Sequence, residues 1–180
     1  DNTYVLESDL VFNRFSNNST LKTVLDIVRE NVSVNYFYST INKDDNDYSI
    51  DIKHNAKNTN ALIKNHGINV LSNKLDFLIN SYIPLIADNA ISNQDSSIIL
   101  LNDNNCKIKP NLIVFNDDIS ASHASFIGHF NPDKMFYLMS RGLNYKESEK
   151  LLVKAFLLGD MDIDFSFKEM ILNDINSYWR

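Results

Sequence analysis

Residues 110–142, PNLIVFNDDISASHASFIGHFNPDKMFYLMSRG, decide how the chain must be built. Leu112, Val114 and Phe115 form an apolar, extended run, and Pro110 opens it where no ladder donor is needed. Asp117 and Asp118 break that run. A second short segment, Ile119 to Ile127, carries His123 among small residues. Asn131-Pro132-Asp133 then predicts a helix start: Asn131 caps, Pro132 suits the first helical position, and Asp133 meets the positive helix end. Extended segments therefore give way to helix near residue 130, which divides the chain into a body over 1–130 and a helical part over 131–180.

Downstream, the spacing predicts a helix over 133–141 stopped by Gly142 in a left-handed cap. Asn144 and Glu147 stand in capping-box spacing for a second helix. Its apolar stripe is Leu151, Leu152, Ala155 and Phe156, and Gly159 ends it. A third runs over 165–178, with Ser166 as the expected cap and Glu169 at its third position. Phe167, Met170, Ile171 and Ile175 share one face, and with Trp179 they suggest a partner-facing groove.

Upstream, residues 3–12 read as one extended run and 32–41 as a strand rich in Val, Tyr, Phe and Thr. Residues 20–30 fit either a helix, through Leu21, Val24, Leu25 and Val28, or two short strands. Tyr48, Ile50 and Ile52 alternate cleanly with Ser49, Asp51 and Lys53. Short apolar segments then recur at 61–63, 68–71, 77–79, 83–86, 98–101 and 112–115. Their period is irregular, and a sandwich, a barrel or a solenoid all satisfy it.

The chain has 180 residues, 44% hydrophobic content and a formal net charge of -6. That supports a real core and argues against a nucleic-acid partner. No run approaches a membrane helix or a secretory signal. A single cysteine, Cys106, excludes an internal disulfide and fits a reducing compartment. Asparagine is abundant, which suits turn positions with left-handed backbone angles.

The sequence contains no nucleophile elbow, no phosphate-cradling glycine loop, no H-E-x-x-H and no C-x-x-C, so a stand-alone enzyme is not expected. The histidines at 54, 66, 123 and 129 lack metal-site spacing. His123 is the best candidate ligand, since a neutral imidazole suits iron or zinc and its neighbours are small. The alternative is a hydrogen-bonding histidine that holds the corner between body and tail. Cys106 is the weaker candidate, because a lone buried cysteine is usually a small core residue. One Cys and one His cannot complete a four-ligand site. Tyr137 and Arg141 are four apart on a helix and share a face, with Arg141 free to pair an aspartate and Phe136 to pack inward.

The ordered set Pro110, Leu112, Asp117, Asp118, Ser122, His123, Ala124, Gly128, Phe136, Tyr137, Leu138, Ser140, Arg141, Gly142 and Phe156 resembles the C-terminal part of the SufB/SufD family. These are scaffold proteins of the Suf iron–sulfur cluster assembly system. The acidic pair and FYLMSRG look like the SufD branch. SufB-type chains tend to flank the histidine with glutamates and to carry Cys and Gln inside the FY-to-RG motif. Upstream, His54, Ala56, Thr59 and Gly67 are similar to the family's H-x-A-x-x-T-x-S followed by a glycine strand. One departure stands out: SufD-type chains often place a cysteine two residues before the histidine, where this chain has Ala121.

The resemblance implies an all-β right-handed parallel β-helix (solenoid) followed by a small C-terminal α-helical domain, with residues 20–30 as strand. It also implies a non-catalytic scaffold that pairs with a SufB-like subunit or a second copy of itself and docks a SufC-like ABC ATPase through the tail. An iron–sulfur cluster would be shared across the subunit interface, with none tightly held by the isolated chain. Family members are about twice this long, so an N-terminal region is expected beyond this sequence. The location implied is the cytoplasm, or a plastid-type organelle in a plastid-bearing eukaryote. Two readings compete: a β-solenoid interaction module without iron–sulfur chemistry, and an acyltransferase-type β-helix enzyme. The latter needs a hexapeptide repeat that this sequence lacks.

Overall fold

The computed structural model describes residues 2–103 and 105–179. Ten strands are β1 (Asn2–Leu6), β2 (Leu10–Asn17), β3 (Leu21–Ile27), β4 (Ser33–Asn42), β5 (Asn46–His54), β6 (Asn60–Asn69), β7 (Leu75–Ile83), β8 (Ala90–Leu100), β9 (Lys107–Val114) and β10 (Ile119–Gly128). Three helices follow: α1 (Pro132–Ser140), α2 (Tyr145–Leu158) and α3 (Phe165–Ser177). Odd strands form one sheet in the order β1-β3-β5-β7-β9, and even strands form the other in the order β10-β8-β6-β4-β2. Every pairing is parallel and in sequential order. A chain that visits two sheets alternately and stacks each coil on the last is a parallel β-solenoid.

Register sets the core. On the odd sheet, Tyr48, Phe77 and Ile108 form one inward column and Thr23, Ile50, Ile79 and Pro110 the next. On the even sheet the inward columns include Tyr36–Ile63–Gln94–His123 and Tyr38–Asn65–Ser96–Ser125. The middle of the stack is aromatic: Tyr38 and Tyr48 stack at 3.7 Å, and Phe77 meets both edge-on. Gly67 makes room for that ring. A Cβ there would lie 2.8 Å from Phe77 Cζ and 2.9 Å from Leu75 Cδ2. Because Phe77 is hemmed in by the tyrosines, Gly67→Ala is expected to cost about 1–3 kcal/mol, read as a lower urea midpoint with an unchanged slope.

Asn31, Asn58 and Asn89 turn the same corner of successive coils at φ 63°, 54° and 56°. Each donates its N–H to the next coil, to the carbonyls of Lys57, Asp88 and Asp118. Asparagine tolerates this left-handed region better than most residues, which accounts for part of its abundance. The H-x-A-x-x-T motif also proves to be a corner. His54 Nδ1 lies 2.8 Å from Thr59 Oγ1, and that hydroxyl donates to the Ala56 carbonyl.

Several sequence expectations need correction. The run over 3–12 is two strands separated by a turn at 7–9, not one. The separate segments at 61–63 and 68–71 run into one strand, β6, which ends at Asn69. They looked broken because Asn65 is buried between them with its amide donating to Ser96 Oγ. Pro110 does not open its strand but sits inside β9, where the missing donor is harmless because β9 is the edge of its sheet. The cap of α3 is Asp164, whose carboxylate accepts from Phe167 N, rather than Ser166. Among the described residues, no helix is long and apolar enough to cross a membrane.

Candidate functional site

The last coil is uncapped. Strands β9 and β10 are both outer edges of their sheets, and their inward residues have no coil above them. Parallel edges of this kind offer unpaired N–H and C=O groups to another chain. The inward set is Ile108, Pro110, Leu112 and Val114 on β9, in register with Phe77, Ile79, Ser81 and Ile83. On β10 it is Ala121, His123, Ser125 and Ile127, in register with Ser92, Gln94, Ser96 and Ile98.

His123 is therefore a mid-strand residue facing the open mouth of the solenoid, not a corner residue. Its side is exposed, and among the described residues none hydrogen-bonds its ring. Beneath it lies a buried polar layer. Ser92 Oγ donates to Ser81 Oγ at 2.8 Å, and Gln94 Nε2 donates to Ser81 Oγ at 2.7 Å and to the Asn111 carbonyl at 3.3 Å.

Cys106 lies elsewhere. It precedes β9, packs against the main core, and accepts from Asn69 Nδ2 at 3.1 Å. Asn69 Oδ1 in turn accepts from Asn42 Nδ2, so the thiol belongs to a ladder of amides. Burial pushes its pKa up, which the bond from Asn69 and another from the Leu75 backbone only partly offset. A core-facing thiol before β9 and an exposed imidazole midway along β10 do not form one ligand set in this chain. Among the described residues, no three His, Cys, Asp or Glu side chains gather as a metal site.

Asp117 and Asp118 occupy the exposed turn between β9 and β10. There the Asp118 carbonyl accepts from Asn89 N, and Asn116 Oδ1 accepts from Asp118 N. Ser122 faces outward and donates to Asn93 Oδ1 at 2.7 Å.

The helical part is pinned to the outside of the even sheet. Ile41, Ile68 and Ile99, one outward column, pack against Val153, Leu157, Ile171 and Ile175. The carbonyls at the end of α2 would otherwise be orphans. Ser39 Oγ donates to Leu157 O at 2.6 Å and His66 Nδ1 to Phe156 O at 2.9 Å, with the His66 ring stacked on Phe156. Burial holds the His66 imidazole below its usual range, opposed by that carbonyl and by Asp160. The Ile171–Ile175 stripe of α3 is thus internal packing rather than a partner-facing groove. Ser39 and His66 were not singled out in the sequence, although strict alternation along β6 puts His66 on the outward face.

Helix α1 is the opposite case: none of its residues is buried. Phe136 is 75% exposed instead of packing inward, and Tyr137 and Met139 are also exposed. Arg141 stands over the Tyr137 ring at 5.3 Å rather than pairing an aspartate. Gly142, at φ 100°, closes the helix: its N–H bonds Met139 O and that of Leu143 bonds Leu138 O, a Schellman pair.

The chain is similar in sequence to several curated proteins. It is 30% identical over 113 residues to the iron–sulfur cluster assembly protein SufD of Bacillus subtilis, covering 61% of this chain and 25% of that protein. It is 35% identical over 48 residues to SufD of Escherichia coli, covering 27% and 11%. It is 30% identical over 105 residues to an iron–sulfur cluster assembly SufBD family protein of Staphylococcus haemolyticus, covering 58% and 23%. The matched stretch thus spans a quarter or less of these relatives' length. The family model for the SufBD core domain of SUF system FeS cluster assembly matches residues 8–156. With most of its length matched, and a parallel solenoid over the larger part of that span, the chain belongs to the SufBD core-domain family.

Proposed function

We propose that this chain is the C-terminal part of a SufD-like, non-catalytic scaffold subunit that works in iron–sulfur cluster assembly. The observation that carries the reading is the uncapped last coil, where His123 stands in the inward column at the solenoid mouth, between the unpaired edges of β9 and β10. A SufB-like subunit, or a second copy of this chain, extends the sheets there and covers the apolar rim of Ile108, Leu112, Val114 and Ile127. The cluster is cargo. This chain offers one imidazole and no thiolate beside it, so His123 supplies one ligand and the partner supplies the rest. The exposed Phe136, Tyr137 and Met139 of α1 give a SufC-like ABC ATPase its footing, in a cytoplasmic setting.

The test is co-purification with SufB-like and SufC-like partners, then anaerobic cluster reconstitution followed by visible absorbance. His123→Ala is expected to leave the complex intact and abolish the cluster absorbance. An intact complex with undiminished absorbance overturns the ligand role. Failure to bind either partner favours a solenoid interaction module without iron–sulfur chemistry.

A further inference from the structure

We propose that Gln94 is the positioning residue of His123. The two share one inward column on adjacent parallel strands, and such strands lie about 4.8 Å apart. Gln94 is 3% exposed, and its amide is turned one way by two bonds from Nε2, to Ser81 Oγ and the Asn111 carbonyl. Ser81 is itself held by Ser92. That leaves Gln94 Oε1 buried with no donor among the described residues. A buried acceptor without a donor loses its hydration with nothing in return and calls for an explanation. The donor within reach is the imidazole of His123, whose ring is unfixed and exposed. Rotation about its two side-chain torsions brings one ring N–H onto Oε1. The other nitrogen then presents its lone pair to the open mouth, as a borderline metal ion such as Fe(II) or Zn(II) requires. Metal-binding histidines commonly donate their second nitrogen to such an acceptor, which sets both tautomer and ring direction. This role deepens, and rests on, the proposed part of His123 in a shared site.

The experiment reads the imidazole 15N shifts of His123 in the chain at pH about 8, where an ordinary imidazole is neutral, with His123→Ala to assign them. Wild type is expected to show one dominant tautomer. Gln94→Met, which keeps the length and removes the acceptor, shifts His123 toward the mixture of free imidazole. Gln94→Glu restores the single form. Ser81→Ala releases the amide and gives the same loss as Gln94→Met, so a poorly folding methionine variant does not stall the test. In every variant, unchanged His54 shifts report an intact core. Superimposable His123 shifts in wild type, Gln94→Met and Ser81→Ala overturn the proposal. None of these readouts needs a partner or a cluster, so they fail or succeed apart from the reconstitution above. In the reconstituted complex, Gln94→Met is expected to weaken metal retention about 10–100-fold, an effect that a merely structural role would not reverse with Gln94→Glu.

Discussion

Phe77→Ala is expected to lower stability by about 3–5 kcal/mol, the usual range for deleting a buried phenylalanine. For a chain of this size the melting temperature falls by about 10 °C. Phe77 is 1% exposed and meets Tyr48 and Tyr38 at ring distances of 5.4 Å and 6.2 Å. Its ring also fills the space that Gly67 leaves open. The void left by alanine is walled by two sheets whose backbones are tied at every coil, so little of it closes. A control separates burial from aromatic character: Phe115→Ala, at a side chain 66% exposed, should change stability by less than about 0.5 kcal/mol. The two core positions should also couple. In the Phe77→Ala background Gly67→Ala loses its clash with the ring, keeps only the one with Leu75, and costs less. Equal cost in both backgrounds would refute the packing account.

The second large effect is an acid-side loss of stability set by His54. Burial lowers its pKa from 6.5 to about 4, and its Nε2 has no partner among the described residues. Above pH 6.5 the imidazole is neutral in both folded and unfolded chains and contributes nothing to the slope. As pH falls from 6.5 toward 4, the unfolded chain takes up a proton that the folded chain refuses. Stability is therefore lost across that window, by about 3 kcal/mol, and no further loss from this group follows below it. Urea unfolding at several pH values between 7 and 4 measures the slope. His54→Leu starts from lower stability, because Thr59 loses one of its two partners, but its slope over the window should be flatter by that amount. His66, also held low by burial, adds a loss of the same sign that both proteins retain. Parallel slopes in the two proteins would show that His54 is not the group responsible.

The helical tail was largely legible in the sequence because its signals are local. Pro132, Gly142 and the Asn144–Glu147 capping box act within a turn of themselves, and all three hold in the structure. The solenoid was not legible from pattern alone. Its inward positions include Asn65, Ser81, Ser92, Gln94 and Ser96, whose hydrogen bonds come from the facing sheet or from the neighbouring coil. A period-2 signal fades wherever polar side chains satisfy one another inside, and the family resemblance had to supply the stacking. The site shows the same division. That His123 stands among small residues is written in the chain, but that it faces the solenoid mouth above Gln94 is a fact of register. The periodicity of α3 marked its apolar face correctly and said nothing of what covers it, which is the isoleucine column of the even sheet.

The repeated asparagine corners have a consequence for how such a chain changes by descent. Asn31, Asn58 and Asn89 hand the backbone from one coil to the next through the same N–H to carbonyl link. Each coil thus presents matching edges above and below. The natural unit of gain or loss is therefore a whole coil running from one such asparagine to the next, and not a residue. Losing a single residue within a strand inverts which side chains face the core. Removing a complete turn brings together two backbone edges already shaped to meet, but the turn over 31–58 carries Ser39 and Ile41 and the turn over 58–89 carries His66 and Ile68, so each loss also takes one rung from beneath the helical tail.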